Sequence, residues 1–139
     1  MVVSGFFNAL VIPADIEQEC YLQGIPKDHL TASLEQMQKL VNGYIELVRV
    51  DWGRLSNPDL PPGVHVARQA LLYVNEESRF YPEMPHNPRA SLLYPWQGGI
   101  YGDAFLCGPA DPEGYDTDVP REAVEFYLNQ TTPWRGASR

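Results

Sequence analysis

The sequence predicts one α+β domain, built on a mostly antiparallel sheet of about five strands packed against one amphipathic helix, with a second helix near the C-terminus. Three observations predict it. Short runs of β-branched and aromatic residues recur and are closed by proline or glycine, which is the pattern of strands. One segment, Leu34 to Val41, carries its apolar residues at helical spacing instead. The 139 residues make a single domain, long enough to bury roughly two thirds of the unfolded surface without a disulfide or a metal.

Phe6 to Pro13 reads as the first strand, stopped by Pro13. Ile16 to Ile25 reads as its antiparallel partner across a Pro13-Ala14-Asp15 loop, though its alternation is imperfect. In the helix that follows, Leu34, Met37, Leu40 and Val41 share one face. Ser33 is the expected cap, with Gln36 completing a capping box and Thr31 as the competing cap. Gly43 is expected at the position just past the helix, in a left-handed conformation that costs glycine little. Tyr44 to Asp51 is a third strand, apolar on both faces and therefore expected at the centre of the sheet.

A proline-rich loop spans residues 52–65, long for a compact domain. Ala67 to Asn75 is a fourth strand. Asn87 to Tyr94 reads as a short helix, with Asn87 as cap and Pro88 at the first helical position, where the missing N–H is harmless. Ile100 to Cys107 is a fifth strand, interrupted at Gly102. Val119 to Asn129 is the last helix, with Asp118 as its cap. It forms a C-terminal extension over about residues 118–130, followed by a frayed tail at 131–139.

The formal net charge is −8. That balance argues against direct nucleic-acid binding and against docking on anionic membranes, both of which need clustered Lys and Arg. It suits solubility, or a basic partner. The two cysteines, Cys20 and Cys107, form no Cys-x-x-Cys pair. Cys107 lies in the apolar run Ala104 to Cys107 and is expected to be a buried, reduced thiol. No signal-peptide pattern and no apolar span of membrane length occurs, so a cytoplasmic setting is expected.

Motifs for catalysis are missing. His29, His65 and His86 have no zinc spacing, there is no phosphate-cradling glycine loop, and no Gly-x-Ser-x-Gly elbow. Asp111, Glu113, Asp116 and Asp118 crowd one loop, but their spacing is not that of an EF-hand. No metal and no cofactor is therefore expected. Three polar clusters sit where strands end: Glu46; Asn75, Glu76 and Glu77; and Asn87 and Arg89 with Gly102 and Asp103. They read either as turn chemistry clipped by Arg89, or as a small pocket with a charge-assisted polar floor built from Glu46, Asn75, Glu76, Asn87, Arg89 and Asp103.

Several blocks occur in a telling order: Leu34-x-x-Met37-Gln38-Lys39-Leu40-Val41-Asn42-Gly43-Tyr44-Ile45-Glu46, Leu72-Tyr73-Val74-Asn75-Glu76-Glu77, Asn87-Pro88-Arg89-Ala90 and Ile100-x-Gly102-Asp103-Ala104. Together, over about residues 6–109, they resemble the uncharacterised family catalogued as domain of unknown function 3846, found mostly in bacteriophages, plasmids and their hosts. The acidic, tryptophan- and proline-rich style is similar to that of actinobacteriophage proteins, which points to a mycobacteriophage-like source. The resemblance implies a phage accessory protein without assigning an activity. Three functions compete: a non-enzymatic binder of a host protein or counter to a host defence; a small-molecule binder, such as a sponge for a nucleotide signal; and an enzyme using Glu46, Glu76 or Asp103 as acid or base.

Overall fold

The computed structural model describes residues 5–27, 31–55, 68–77, 83–94 and 98–129. Its strands are β1 (Phe6–Ile12), β2 (Tyr21–Pro26), β3 (Ile45–Asp51), β4 (Gln69–Asn75) and β5 (Ala104–Cys107); its helices are α1 (Thr31–Val41), α2 (Pro88–Ser91) and α3 (Arg121–Asn129). The strands form one sheet in the order β2-β1-β5-β4-β3, with every pairing antiparallel. Two hairpins, β1-β2 and β3-β4, are thus zipped together by β5, which enters between them late in the sequence.

Alternation along the strands divides the core in two. On one face Phe7, Ala9, Val11, Ile25, Leu71, Tyr73, Phe105 and Cys107 meet Met37 and Val41 of α1. On the other, Leu10, Ile12, Val50, Ala70, Leu72, Val74, Ala104 and Leu106 meet Ala90 and Leu93 around α2 and Val119, Ala123 and Tyr127 around α3. Each large apolar side chain so buried contributes about 1.5–3 kcal/mol. The three inner strands, β1, β5 and β4, are sandwiched between these layers, and all four residues of the central β5 are buried.

Several local expectations are corrected. β3 is an edge strand, not a central one. Its two apolar faces do not mean double burial: Leu47 is 40 % exposed, and Tyr44 just before it is 66 % exposed. α1 begins at Thr31, so Ser33 lies inside the helix and does not cap it. The left-handed residue after α1 is Asn42 at φ 62°, not Gly43. Asn42 N donates to Lys39 O at 3.4 Å and Gly43 N to Gln38 O at 3.0 Å, the paired reverse bonds of a Schellman closure. β2 starts at Tyr21 rather than Ile16, because residues 15–18 form a turn in which Asp15 Oδ1 accepts Glu17 N at 2.9 Å and Asp15 O accepts Gln18 N at 3.0 Å.

Asp118 does not cap α3. Its Oδ1 accepts Asn8 N at 2.7 Å, and Val119 N donates to Asn8 O at 2.9 Å. The 117–119 segment therefore continues the pairing of β1 where β5 has ended. Gly108 permits this, since a Cβ there would collide with Asp118 O and Thr117 Oγ1. The expected cap of α2 holds, with Asn87 Oδ1 accepting Ala90 N at 3.0 Å and Pro88 at the first helical position, but the helix ends at Ser91 and does not reach Tyr94. Gly102, with φ 82° and packed on Met84, breaks the expected fifth strand more fully than its sequence suggests: the strand starts only at Ala104, and Tyr101 forms an isolated bridge with His86. Residues 56–65 of the proline-rich loop, and the tail from 130 onward, lie outside the described residues.

Candidate functional site

The six expected site residues separate into groups with different tasks. Asn87, Arg89 and Asp103 converge on the chain leaving β1. Asn87 is fully buried; its Nδ2 donates to Ile12 O at 2.8 Å and Gly102 O at 2.9 Å, while its Oδ1 caps α2. Arg89, 1 % exposed, donates through Nη2 to Pro13 O at 2.7 Å and Asp15 O at 3.0 Å. Asp103 Oδ1 accepts Ala14 N at 2.9 Å. Four successive residues, Ile12 to Asp15, are thus gripped by three side chains. Tyr127 of α3 locks the group from behind, its hydroxyl donating to Arg89 O at 2.7 Å. Burial pushes the Tyr127 phenol well above its ordinary range. It likewise raises the nearby Cys20 thiol, against the opposing pull of the Arg89 charge. Arg89 is a clip, but what it fastens is the turn leaving β1, through backbone carbonyls, and not two of the polar clusters to each other.

Asn75 belongs to a second knot. It is buried at the end of β4, and its Nδ2 donates to Val41 O at 3.0 Å and Asn42 O at 3.2 Å. Those are carbonyls that the end of α1 leaves without helical partners. Its Oδ1 accepts Glu77 N at 2.8 Å. Gly43 makes room for it, since a Cβ there would stand 2.7 Å from Asn75 Nδ2. Glycine is needed here for close approach rather than for its dihedral angle. Glu76 is exposed and held by its backbone, with Glu76 N donating to Tyr44 O at 2.8 Å. Glu46 is half-buried on β3 opposite Val74. A concavity of about 350 Å³ opens beside this knot, lined by Asn42, Gly43, Asn75, Glu77, Glu83, Met84 and Pro85; of the six expected residues, only Asn75 reaches it.

The acidic loop is also occupied with its own folding. Asp111 Oδ1 accepts Glu113 N at 3.0 Å and Tyr115 N at 2.9 Å, and Asp116 Oδ1 accepts the Tyr73 hydroxyl at 2.9 Å. Among the described residues no group of three or more His, Cys, Asp or Glu side chains is placed to hold a metal. Among those residues, too, no helix is long and apolar enough to cross a membrane. Cys20 and Cys107 are both free and buried. Burial, with the charges of Asp116 and Asp118, holds the Cys107 thiol well above its ordinary value.

One nucleophile-like pairing follows no sequence motif: Ser91 Oγ lies 3.2 Å from His86 Nε2. The hydroxyl is already engaged, donating to Asn87 O at 2.7 Å and accepting from Ile100 N at 2.8 Å. The pair fastens α2 to the start of the Ile100 segment.

A further feature unites residues far apart in sequence. Trp52 and Leu55, from the 3-10 turn that ends β3, face Phe126 and Glu122 of α3 across a groove of about 260 Å³, with Arg68 at its side. The Arg68 guanidinium carbon lies 5.3 Å from the centre of the Trp52 ring. Neither Phe126 nor Glu122 carries a sequence signal for this role; only the i, i+4 spacing that aligns them on α3 was readable.

No family model matches the chain, and no curated protein matches it. Among solved structures, the crystal structure of small RNA methyltransferase HEN1 aligns with 91 % of this chain at 16 % identity and a TM-score of 0.56. This chain spans 16 % of the length of that protein. The likeness concerns the fold alone.

Proposed function

We propose that the chain is a non-enzymatic bacteriophage accessory protein that binds a host protein in the host cytoplasm, and so serves the phage or blunts a host defence. The observation that carries this reading is the outer strand β2. It is an edge of the sheet with exposed apolar residues around it: Phe6 at 66 % and Leu22 at 46 % on one face, Tyr21 at 45 % on the other. Phe6 lies over Gly24, so it and Leu22 line one strip on either side of that glycine. An exposed edge of this kind accepts a strand from a partner, whose backbone supplies affinity while the apolar strip supplies specificity. The net charge of −8 favours a basic partner and fast, salt-sensitive association. The resemblance to a phage and plasmid family supports the setting.

The small-molecule and enzyme readings both drew on the polar residues at the strand ends. Arg89 and Asn87 are sealed in the core and Asn75 is spent on the end of α1, which favours a binding surface elsewhere. The test is retention of a host protein by the immobilised chain. Wild type is expected to hold a specific partner that elutes with salt, and Leu22→Lys is expected to release it without loss of folding. A lysate that yields no specific partner, or full retention by Leu22→Lys, would remove the proposal.

A further inference from the structure

We propose that the groove between Trp52 and Phe126 is a receptor for an organic cation, a guanidinium or alkylammonium group, and that Arg68, which lines it, covers the face of the Trp52 ring in the free protein. The face of an indole attracts a cation because the ring carries negative charge above its plane. Here a guanidinium already lies on it, at 5.3 Å. Local backbone geometry brings the two together: Asp51 pairs with Gln69 at the end of the β3-β4 ladder, and Trp52 N donates to Arg68 O at 3.0 Å.

The rest of the groove suits the same guest. Phe126 adds a second aromatic wall, braced edge-to-face by Tyr127 with ring centres 5.2 Å apart, and Leu55 adds an apolar one. Glu122 supplies the negative charge; one turn away Glu125 is engaged by Arg121 at 3.7 Å, whereas Glu122 lines the groove. An aromatic wall, a carboxylate and an acidic chain select cations over anions. An arriving cation displaces Arg68 and exchanges one cation for another, so the resident side chain sets a threshold on affinity.

That the cation belongs to a basic protein partner rests on the function proposed above; the chemistry of the groove does not. Both are separable by titrating the intact chain with tetramethylammonium chloride and with arginine ethyl ester, against sodium chloride, while following the Trp52 indole N–H by NMR. Saturable shifts with both organic cations and none with sodium are expected. Arg68→Ala vacates the ring and should bind about two- to fivefold more tightly, the worth of one exposed cation–π contact. Trp52→Leu, followed at Phe126, should lose binding, and Trp52→Phe should keep it in weakened form. Arg68→Ala binding no tighter than wild type, or Trp52→Leu shifting as wild type does, would overturn the inference. Cation binding by a chain that retains no host protein would leave the groove standing and remove the partner; retention of a partner by a groove indifferent to cations would do the reverse.

Discussion

The clamp below β1 and the groove beside α3 each hold one arginine, and they use it in opposite ways. Arg89 is 1 % exposed and gives its hydrogen bonds to two backbone carbonyls. Arg68 is exposed and lies on an aromatic ring. A buried guanidinium is costly, and here only Nη2 recovers part of that cost while Nε stays unpartnered, so the two carbonyl bonds fix its geometry. A surface guanidinium over a ring is held by a contact of about 0.5–1 kcal/mol and can be exchanged. Charge type alone therefore does not mark a binding site. What separates the two regions is burial: Arg89 is walled in, with two carbonyls on its Nη2 and its Nε left without a partner, while Arg68 lies at the surface and can leave its ring.

Asn87→Ala should test that distinction most severely. It strands Ile12 O, Gly102 O and Ala90 N, three buried or partly buried groups that Asn87 satisfies. Each unsatisfied group costs about 1–3 kcal/mol, so a loss of about 3 kcal/mol or more is expected by urea unfolding, enough to threaten folding altogether. Trp52→Leu in the groove should cost far less. If the two losses were equal, the sealed clamp and the open groove would not differ in kind.

The contrast was half legible in the sequence. Asn87-Pro88 announces a helix start because capping is local: the acceptor and the N–H it satisfies are three residues apart. The five strands were legible for the same reason, since alternation and proline stops need no distant information. Strand order was not. β3 looks central from its own residues, and becomes an edge only because β5, more than fifty residues later, enters between β1 and β4. Arg89 was visible as an important cation, but its burial depends on the loop from β1 and on Tyr127. The groove was invisible because Trp52 and Phe126 meet only once β3 and α3 are in place. The acidic cap expected of Asp118 failed through competition, because the backbone of Asn8 at a sheet position was the better partner.

A middle case is the knot at the end of β4, and it sharpens the comparison by coupling. Gly43→Ala should cost about 1–3 kcal/mol, the penalty of an overpacked contact, because its Cβ meets Asn75 Nδ2. A left-handed glycine would predict the same loss from a different cause. The two are told apart in the Asn75→Ala background. There the obstruction is gone, and Gly43→Ala should become nearly neutral, leaving a coupling energy of about 1 kcal/mol or more in the double-mutant cycle. A cost for Gly43→Ala that is the same in both backgrounds would assign the glycine to its backbone conformation instead.

The smallest effect on stability is expected at Glu122→Gln, and it is the most informative about the groove. Glu122 is exposed in the first turn of α3, where a carboxylate favours the positive end of the helix. Its loss should therefore cost only about 0.3–1 kcal/mol, and less at high salt. Affinity for an organic cation should fall by more than that alone implies, because the carboxylate lines the groove and acts directly on the guest. A substitution in the clamp would show the reverse pattern, a large stability loss with no route to a ligand. Measuring both quantities on Glu122→Gln thus asks whether a side chain belongs to the fold or to the surface the fold presents. Equal changes in stability and affinity would return Glu122, and the groove with it, to the fold.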